Sequence, residues 1–338
     1  MKTCQLLMSV LMVCGGMVSA AWDDGGYSAY SEEMAGAGSE EVLIFDEPAG
    51  IDPMYSTPSI NSSASYAGQH AFVPNDFYFE YLGKMSVSGP AGGSLRVTNA
   101  FITMPFTNPK TAVWRGWHLD AKLSARLTHI HSSGSTVVDE DRLYTMGLNV
   151  AVSHAVGQHA QIQFGFTPQL STDFDVMSSH NFFWGGYVAY SAKVNERFHY
   201  TVGLAFMPDY YEYYVFPVLN MRWRYAPTWE MRIQASRLSA VNVASERFQW
   251  GPFFQWNAGV WTVHRGGETQ QFRMTNCIMG MGAEYNMTPG TTKVLLMGDL
   301  GMTFNNTFRV RDKHGDDTLE KYRTHPGLYA RLGIQVQF

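Results

Sequence analysis

The sequence predicts an all-β protein. The expected fold is a single closed antiparallel transmembrane β-barrel of about 14 strands, preceded by a flexible acidic segment. Three observations lead there. From about residue 76 onward, apolar and polar residues alternate with a period of two, the period of a strand whose successive side chains face opposite sides. The alternating runs reach about 10–14 residues, longer than the usual five or six and matched to the tilted 9–11 that cross a bilayer. Asn, Gly and Pro punctuate the runs, as turns between barrel strands require.

The first twenty residues read as a cleaved signal peptide. Lys2 supplies the positive start, Leu6 to Val13 the short apolar stretch, and Val18-Ser19-Ala20 the small-residue cleavage site. Cys4 and Cys14 leave with it, so Cys277 remains alone and no internal disulfide can form. Residues 21–75 follow as an acidic, mostly disordered periplasmic segment. Nine carboxylates and no Lys or Arg fall within 21–60, a composition that cannot bury enough apolar surface to offset chain entropy. Residues 76–338 are assigned to the barrel.

Composition narrows the class. Aromatic residues make up 14% and charged residues 16%, against about 25% charged in ordinary soluble domains. Mean hydropathy is slightly negative, and no apolar run of about 18 residues follows the leader, which argues against membrane helices.

The clearest strand is "WHLDAKLSARLTHI". Trp117, Leu119, Ala121, Leu123, Ala125 and Leu127 point one way; His118, Asp120, Lys122, Ser124, Arg126 and Thr128 point the other. The same alternation recurs from Tyr144 to Ser153, Ala160 to Thr167, Phe198 to Met207, Val215 to Tyr225 and Asn276 to Asn286. Phe248, Trp250, Phe254 and Trp256 continue it, with Pro252 weakening that strand locally.

Short links are expected near 106, 155, 194, 225, 244 and 287. Longer ones are expected at 131, at 170, in "HRGGETQ" from 264, and in "RDKHGDDTLEKYRTH" from 311. Barrels place short turns in the periplasm and long loops outside, and both ends of the barrel then lie on the periplasmic side. The count reaches 14 only if 228–235 and 237–244 are two short strands reversing near Ser236. Twelve is the alternative, with a bend there and one N-terminal strand outside the wall. A soluble sandwich also alternates. Strand length and the aromatic residues near strand ends, Trp223 and Trp229 beside the "YAPT" turn, favour the membrane.

The chain closes on "RLGIQVQF". Arg331, Gly333, Val336 and Phe338 resemble the C-terminal signal by which bacterial outer-membrane barrels are recognised by their assembly machinery. More narrowly, "LSARLTHI…DEDRLYTMGLNVAV" and "PVLNMRWRYAPTWEMRI" resemble an uncharacterised group of outer-membrane barrels catalogued only as a domain of unknown function. The resemblance implies a barrel in the bacterial outer membrane, with outer-membrane lipid and the assembly machinery as partners. It implies no reaction.

Function is expected on the inward face. His118, Lys122 and Arg126 line one strand, Arg222 and Arg224 another, with Glu230 and Arg232 across the "YAPT" turn and Arg331 on the last strand. These residues suit a passive, porin-like channel for small solutes in which cations attract anions. They equally suit a closed network in which Arg222, Arg224 and Arg232 pair with Asp120, Glu230, Glu284 or Asp299. Two further readings stand beside the channel. One is a barrel that passes apolar compounds sideways into the membrane, with 21–75 as a hatch. The other is a scaffold whose outer loops bind a partner. No catalytic residues are expected: His131, Asp139, Asp141, His180 and His314 match no nucleophile motif. "DKHGDD" lacks the spacing of a calcium loop. No cofactor, metal or nucleic-acid site is expected.

Overall fold

A computed structural model describes residues 76–337, apart from short stretches inside links (89–91, 106–111, 115, 135–141, 158, 210–211, 235, 266, 289–292 and 313–317). The expected leader, the acidic segment and Phe338 lie outside the described residues.

Sixteen strands are present among the described residues. They are β1 (Asp76–Ser86), β2 (Ser94–Pro105), β3 (Ala112–Trp114), β4 (Trp117–Ser133), β5 (Arg142–Ala155), β6 (Ala160–Thr172), β7 (Phe182–Asn195), β8 (Phe198–Asp209), β9 (Glu212–Ala226), β10 (Trp229–Gln234), β11 (Arg237–Asn242), β12 (Phe248–Arg265), β13 (Glu268–Asn286), β14 (Lys293–Asp312), β15 (Thr318–Thr324) and β16 (Gly327–Gln337). Fourteen of them form one closed antiparallel ring. Each bonds to the next in chain order, and β1 returns to β16 with Asp76 opposite Gln335 and Leu82 opposite Tyr329. β3 adds to β4, and β15 adds to the far end of β14. The reversal at Ser236 is real: β10 and β11 pair from Trp229–Asn242 to Gln234–Arg237. The count of 14 therefore holds and 12 does not.

The faces are inverted relative to a soluble protein. Along β4, Lys122, Ser124, Arg126 and Thr128 are buried while Leu127 is exposed. Around the ring Phe79, Phe166, Leu204, Leu300 and Leu332 are exposed, whereas Glu80, Asn149, Gln163, Glu230 and Asp299 are buried. Apolar side chains cover the outside and polar ones fill the inside. At the short-turn end, outward aromatic residues gather in pairs, Trp223 with Tyr225 at 6.0 Å and Trp229 with Trp250 at 5.8 Å, as an interfacial girdle would.

Pro252 does not break its strand, which pairs with β13 without interruption. Its effect falls on the other neighbour. β11 pairs with Phe253 and with Trp250 but skips the two residues between. Pro252 has no N–H to give, and the Ala240 carbonyl closes on Gly251, where a Cβ would lie 1.8 Å from that oxygen. Only glycine fits there.

Two links depart from expectation. "HRGGETQ" is mostly strand, because β12 runs to Arg265 and β13 starts at Glu268. "RDKHGDDTLEKYRTH" contains β15, paired with β14 from Asn306–Thr324 to Arg311–Thr318. In both cases ladder bonding continues past the length needed to cross a bilayer, so β12, β13 and β14 reach 18, 19 and 20 residues.

The ring narrows toward the end away from the short turns. β12 pairs with β11 only as far as Gln255, with one more bond from the Trp256 N–H to Ser236 O. Beyond that it joins β6, with five strands of the wall between them. Thr262 bridges Thr172, Ser171 Oγ donates to Val260 O at 2.6 Å, and the His264 N–H donates to Asp173 at 2.6 Å. β15 meets β1 through Val87 and Thr324. A second ring of nine strands results: β1, β2, β4, β5, β6, β12, β13, β14 and β15. About eight strands enclose just enough room for side chains to fill, and this ring is filled. Leu82, Met85, Leu95, Ile130, Leu143, Trp261, Phe272 and Phe308 form one buried apolar cluster inside it.

Leu300 is 65% exposed and sits midway along the apolar outer face of β14. Replacing it with Arg is expected to destabilise the folded barrel by about 2–4 kcal/mol, the cost of a cation at the bilayer midplane. Denaturant unfolding in lipid vesicles measures this; a change near zero would place that surface in water.

Candidate functional site: the lumen

The wide half of the barrel presents its polar faces inward, and the charges there meet in three groups. In the first, Glu80 on β1 is fully enclosed. It accepts from Tyr329 Oη at 2.9 Å and from Asn99 Nδ2 at 2.7 Å, with the Arg126 guanidinium 3.7 Å away. Thr128 Oγ1 donates to Asn99 Oδ1 at 2.8 Å. Every member occupies an inward position of β1, β2, β4 or β16, brought together by the ring closure.

In the second group, Asp299 on β14 takes two arginines. Arg237 binds it through both terminal nitrogens, at 2.8 and 3.1 Å, and Arg331 approaches to 2.6 Å. Arg237 also lies over the Phe253 ring at 3.8 Å, and Arg331 over Tyr78 at 5.4 Å. A flat guanidinium can bond in its plane and stack on its face, which an ammonium cannot do. Arg237 further donates to Gln255, which donates to Asn257.

The third group lies nearer the short turns. Glu230 on β10 bonds Arg222 and also Arg232, the latter at 2.6 Å, with Arg224 at 4.0 Å. Arg232 continues to Gln249 at 2.7 Å and Glu284 at 3.6 Å. Lys122 pairs separately with Asp120 at 2.8 Å.

The inward residues read from the sequence are placed as follows. Lys122, Arg126, Arg222, Arg224, Glu230, Arg232 and Arg331 all belong to these pairs, and His118 is half-buried on the same face of β4. Arg222, Arg224 and Arg232 converge on Glu230, whereas Asp299 serves Arg237 and Arg331. Glu80, Arg237 and Tyr329 were not singled out in the sequence. Glu80 had a signal: with Asp76 it is one of two carboxylates in "DFYFEY", on the face opposite Phe77, Phe79 and Tyr81. Arg237 had none, because its strand is only six residues long.

Three of the four C-terminal signal residues are described, and two have work inside the barrel. Arg331 holds Asp299. Gly333 stands opposite Tyr78, and a Cβ there would lie 2.6 Å from the Tyr78 Cβ. Val336 is half-buried opposite Val294. Among the described residues no three His, Cys, Asp or Glu side chains gather closely enough to hold a metal ion.

The wall itself has a low section. β10 and β11 have six residues each, which spans about 20 Å along the strand and about 15 Å once tilted, short of the roughly 25 Å apolar band of a barrel. Above them β9 residues 212–219 pair with β8 alone, since the β9–β10 ladder ends at Asn220–Gln234. Pro217, which cannot donate to a ladder, lies in that edge stretch, where proline is tolerated. On the other side of the notch β12 has left the wall for β6. The inner faces of β7, β8 and β9 here carry Tyr187, Ala189, Ala205 and Val218, and β12 carries Ala258 and Val260 on the face opposite Trp261, all buried.

Comparison with known proteins adds the following. A family model described as "Domain of unknown function (DUF6268)" matches residues 61–337. Among curated proteins none matches the sequence. Similar solved structures include the toluene transporter TodX of Pseudomonas putida, at 10% identity and TM-score 0.33, covering 86% of this chain and 94% of that one. The translocator domain of the autotransporter NalP from Neisseria meningitidis is similar at 8% identity and TM-score 0.28, covering 78% and 89%. A mutant of the Rh. blastica porin is similar at 8% and 0.28, covering 77% and 99%.

Asp299→Ala leaves Arg237 and Arg331 buried without their shared carboxylate. The expected loss is about 3–5 kcal/mol of stability, read as a lower urea midpoint with an unchanged m-value. Asp299→Ala matching wild type within about 0.5 kcal/mol would mean that the pair contributes nothing.

Proposed function

The chain belongs to the DUF6268 family, and from that premise we propose that it is an integral bacterial outer-membrane barrel that lets small apolar compounds cross sideways. The observation that carries this reading is the pairing of a filled nine-strand ring with a low wall beside it. An axial route would have to displace Trp261, Phe272 and Phe308, which stack at 5.9 and 6.0 Å. The lateral route runs from the outer leaflet through the notch between β9 and β12. It continues along the apolar inner faces of β7–β9 and reaches the wide polar half, which faces the periplasm. Apolar cargo suits this path because its narrow part offers Ala189, Ala205, Val218, Ala258 and Val260.

A second reading is a barrel with no transport. The saturated ion pairs favour it: Glu230 and Asp299 each hold at least two cations, so the lumen offers an anionic solute little unspent charge.

Intact bacteria producing the protein are expected to take up a small apolar fluorophore faster than bacteria lacking it. Val215 is 67% exposed at the notch. Val215→Cys carrying a bulky thiol label should abolish the gain, while buried Cys277 stays unlabelled. Trp261→Ala, which loosens only the nine-strand ring, should leave uptake unchanged. A steady ion conductance from wild type in planar bilayers would overturn the lateral route, and absence of any uptake gain would favour the second reading.

A further inference from the structure

The outer face of the barrel changes chemistry at one level on adjacent strands. On β14 the outward residues read Leu296, Leu300, Met302 and Phe304, then Thr307 and Arg309. On β13 they read Tyr285, Met281, Met279 and Cys277, then Thr275 and Arg273. On β16 and β15 they read Ile334, Leu332 and Leu328, then Arg323 and Lys321. The backbone is irregular at the switch. β14 carries an extra residue between Phe304 and Thr307 opposite Thr275–Cys277 of β13, with Asn305 at φ 54°, and β15 breaks from β16 at 325–326. Lys84 and Arg96 take the same level on β1 and β2, both exposed. The apolar stretch below is about nine residues, or roughly 25 Å after tilting, the height of a hydrocarbon band. The basic residues therefore stand at headgroup level, at the end away from the short turns.

The cations oppose one another directly. Arg273 faces Arg309 across β13–β14, and Arg309 faces Lys321 across β14–β15. Like charges directly opposite on one sheet face are destabilising, so Arg309 and Lys321 ask for an anion. Glu320, next in sequence to Lys321, does not supply it: it lies on the other side opposite Val310 and pairs with Arg265. Arg309, Lys321 and Arg323 make no ion pair with another described residue.

We propose that this outward basic crescent binds the phosphates of a phosphorylated glycolipid in the outer leaflet. The inference rests on the outer-membrane reading and is independent of the lateral route. Arginine forks match phosphate oxygens two at a time, and the long stems of Lys321 and Arg323 can reach along the apolar surface to the headgroup plane. A headgroup carrying several phosphates matches a row of cations one strand apart better than a single-phosphate lipid does.

The full-length protein is purified in detergent and mixed with phosphatidylcholine vesicles that carry one of three lipids. These are lipopolysaccharide with intact lipid A phosphates, dephosphorylated lipopolysaccharide, and phosphatidylglycerol. Lipid retained per barrel after detergent gel filtration is read by native mass spectrometry. Wild type is expected to keep the phosphorylated form. Combined R309A, K321A and R323A should lower that retention about tenfold or more, with the gel shift between unheated and boiled samples unchanged. If the triple variant does not fold, exposed K321A alone should still lower retention and make it more sensitive to salt. Equal retention by the variants, equal retention of dephosphorylated lipid, or equal retention of phosphatidylglycerol would each overturn the proposal. A protein that stays monodisperse without detergent fails the outer-membrane reading itself; one that needs detergent yet ignores lipopolysaccharide fails this inference alone.

Discussion

Ring closure between β1 and β16 is the constraint on which the rest of the structure depends. In hydrocarbon an unpaired backbone N–H or C=O has no water to turn to, so a sheet survives there only without edges. Closure brings Glu80 beside Tyr329 and places Gly333 against Tyr78. It also decides the faces. Once the outside meets lipid, polar side chains have only the interior, and they must satisfy one another there. Glu80 and Asp299 are surrounded by donors for that reason.

The two halves of the lumen solve this differently. The wide half has more circumference than side chains can fill with apolar contacts, and it carries charges in mutual pairs. The narrow half comes close to the strand number at which side chains fill a barrel, and it carries Trp261, Phe272 and Phe308 in contact. The same chain is thus a membrane barrel outside and, over part of its length, an ordinary apolar core inside.

Much of this was legible in the sequence, because period-two alternation reports a face wherever that face meets one environment. The strands at 76, 117, 144 and 198, the two short strands around Ser236 and the inward arginines all follow from it. What alternation does not report is partner identity. The "YAPT" hairpin sets Glu230 beside Arg222, but nothing local marks Asp299 as the carboxylate for Arg237, because strand length and shear decide who meets whom. The β6–β12 contact is harder still, since it joins Thr172 to Thr262 across five intervening strands. Yet one signal was present. "AGVWTV", 258–263, drops the alternation altogether, as a strand buried on both faces does, and those six residues are all buried. Loss of the pattern was itself the message that β12 leaves the wall.

The backbone irregularities then acquire a common cause. β1 shifts register between Leu82 and Met85, β14 carries an extra residue around Asn305 opposite Thr275–Cys277 of β13, and β15 parts from β16 at 325–326. All three lie at the level where the apolar outer band ends. A bulge bends its strand and increases local twist, which is what a wall needs in order to pass from a ring of fourteen to a ring of nine. Curvature must rise sharply over a short height, and a regular ladder cannot supply it. The step in curvature and the step in outer-surface chemistry therefore coincide for one physical reason. Below that level the wall's breadth is held by closure in lipid, where every strand must be bonded on both sides. Beyond it β12 parts from β11, β9 pairs with β8 alone, and the wall is released to close around a core of its own.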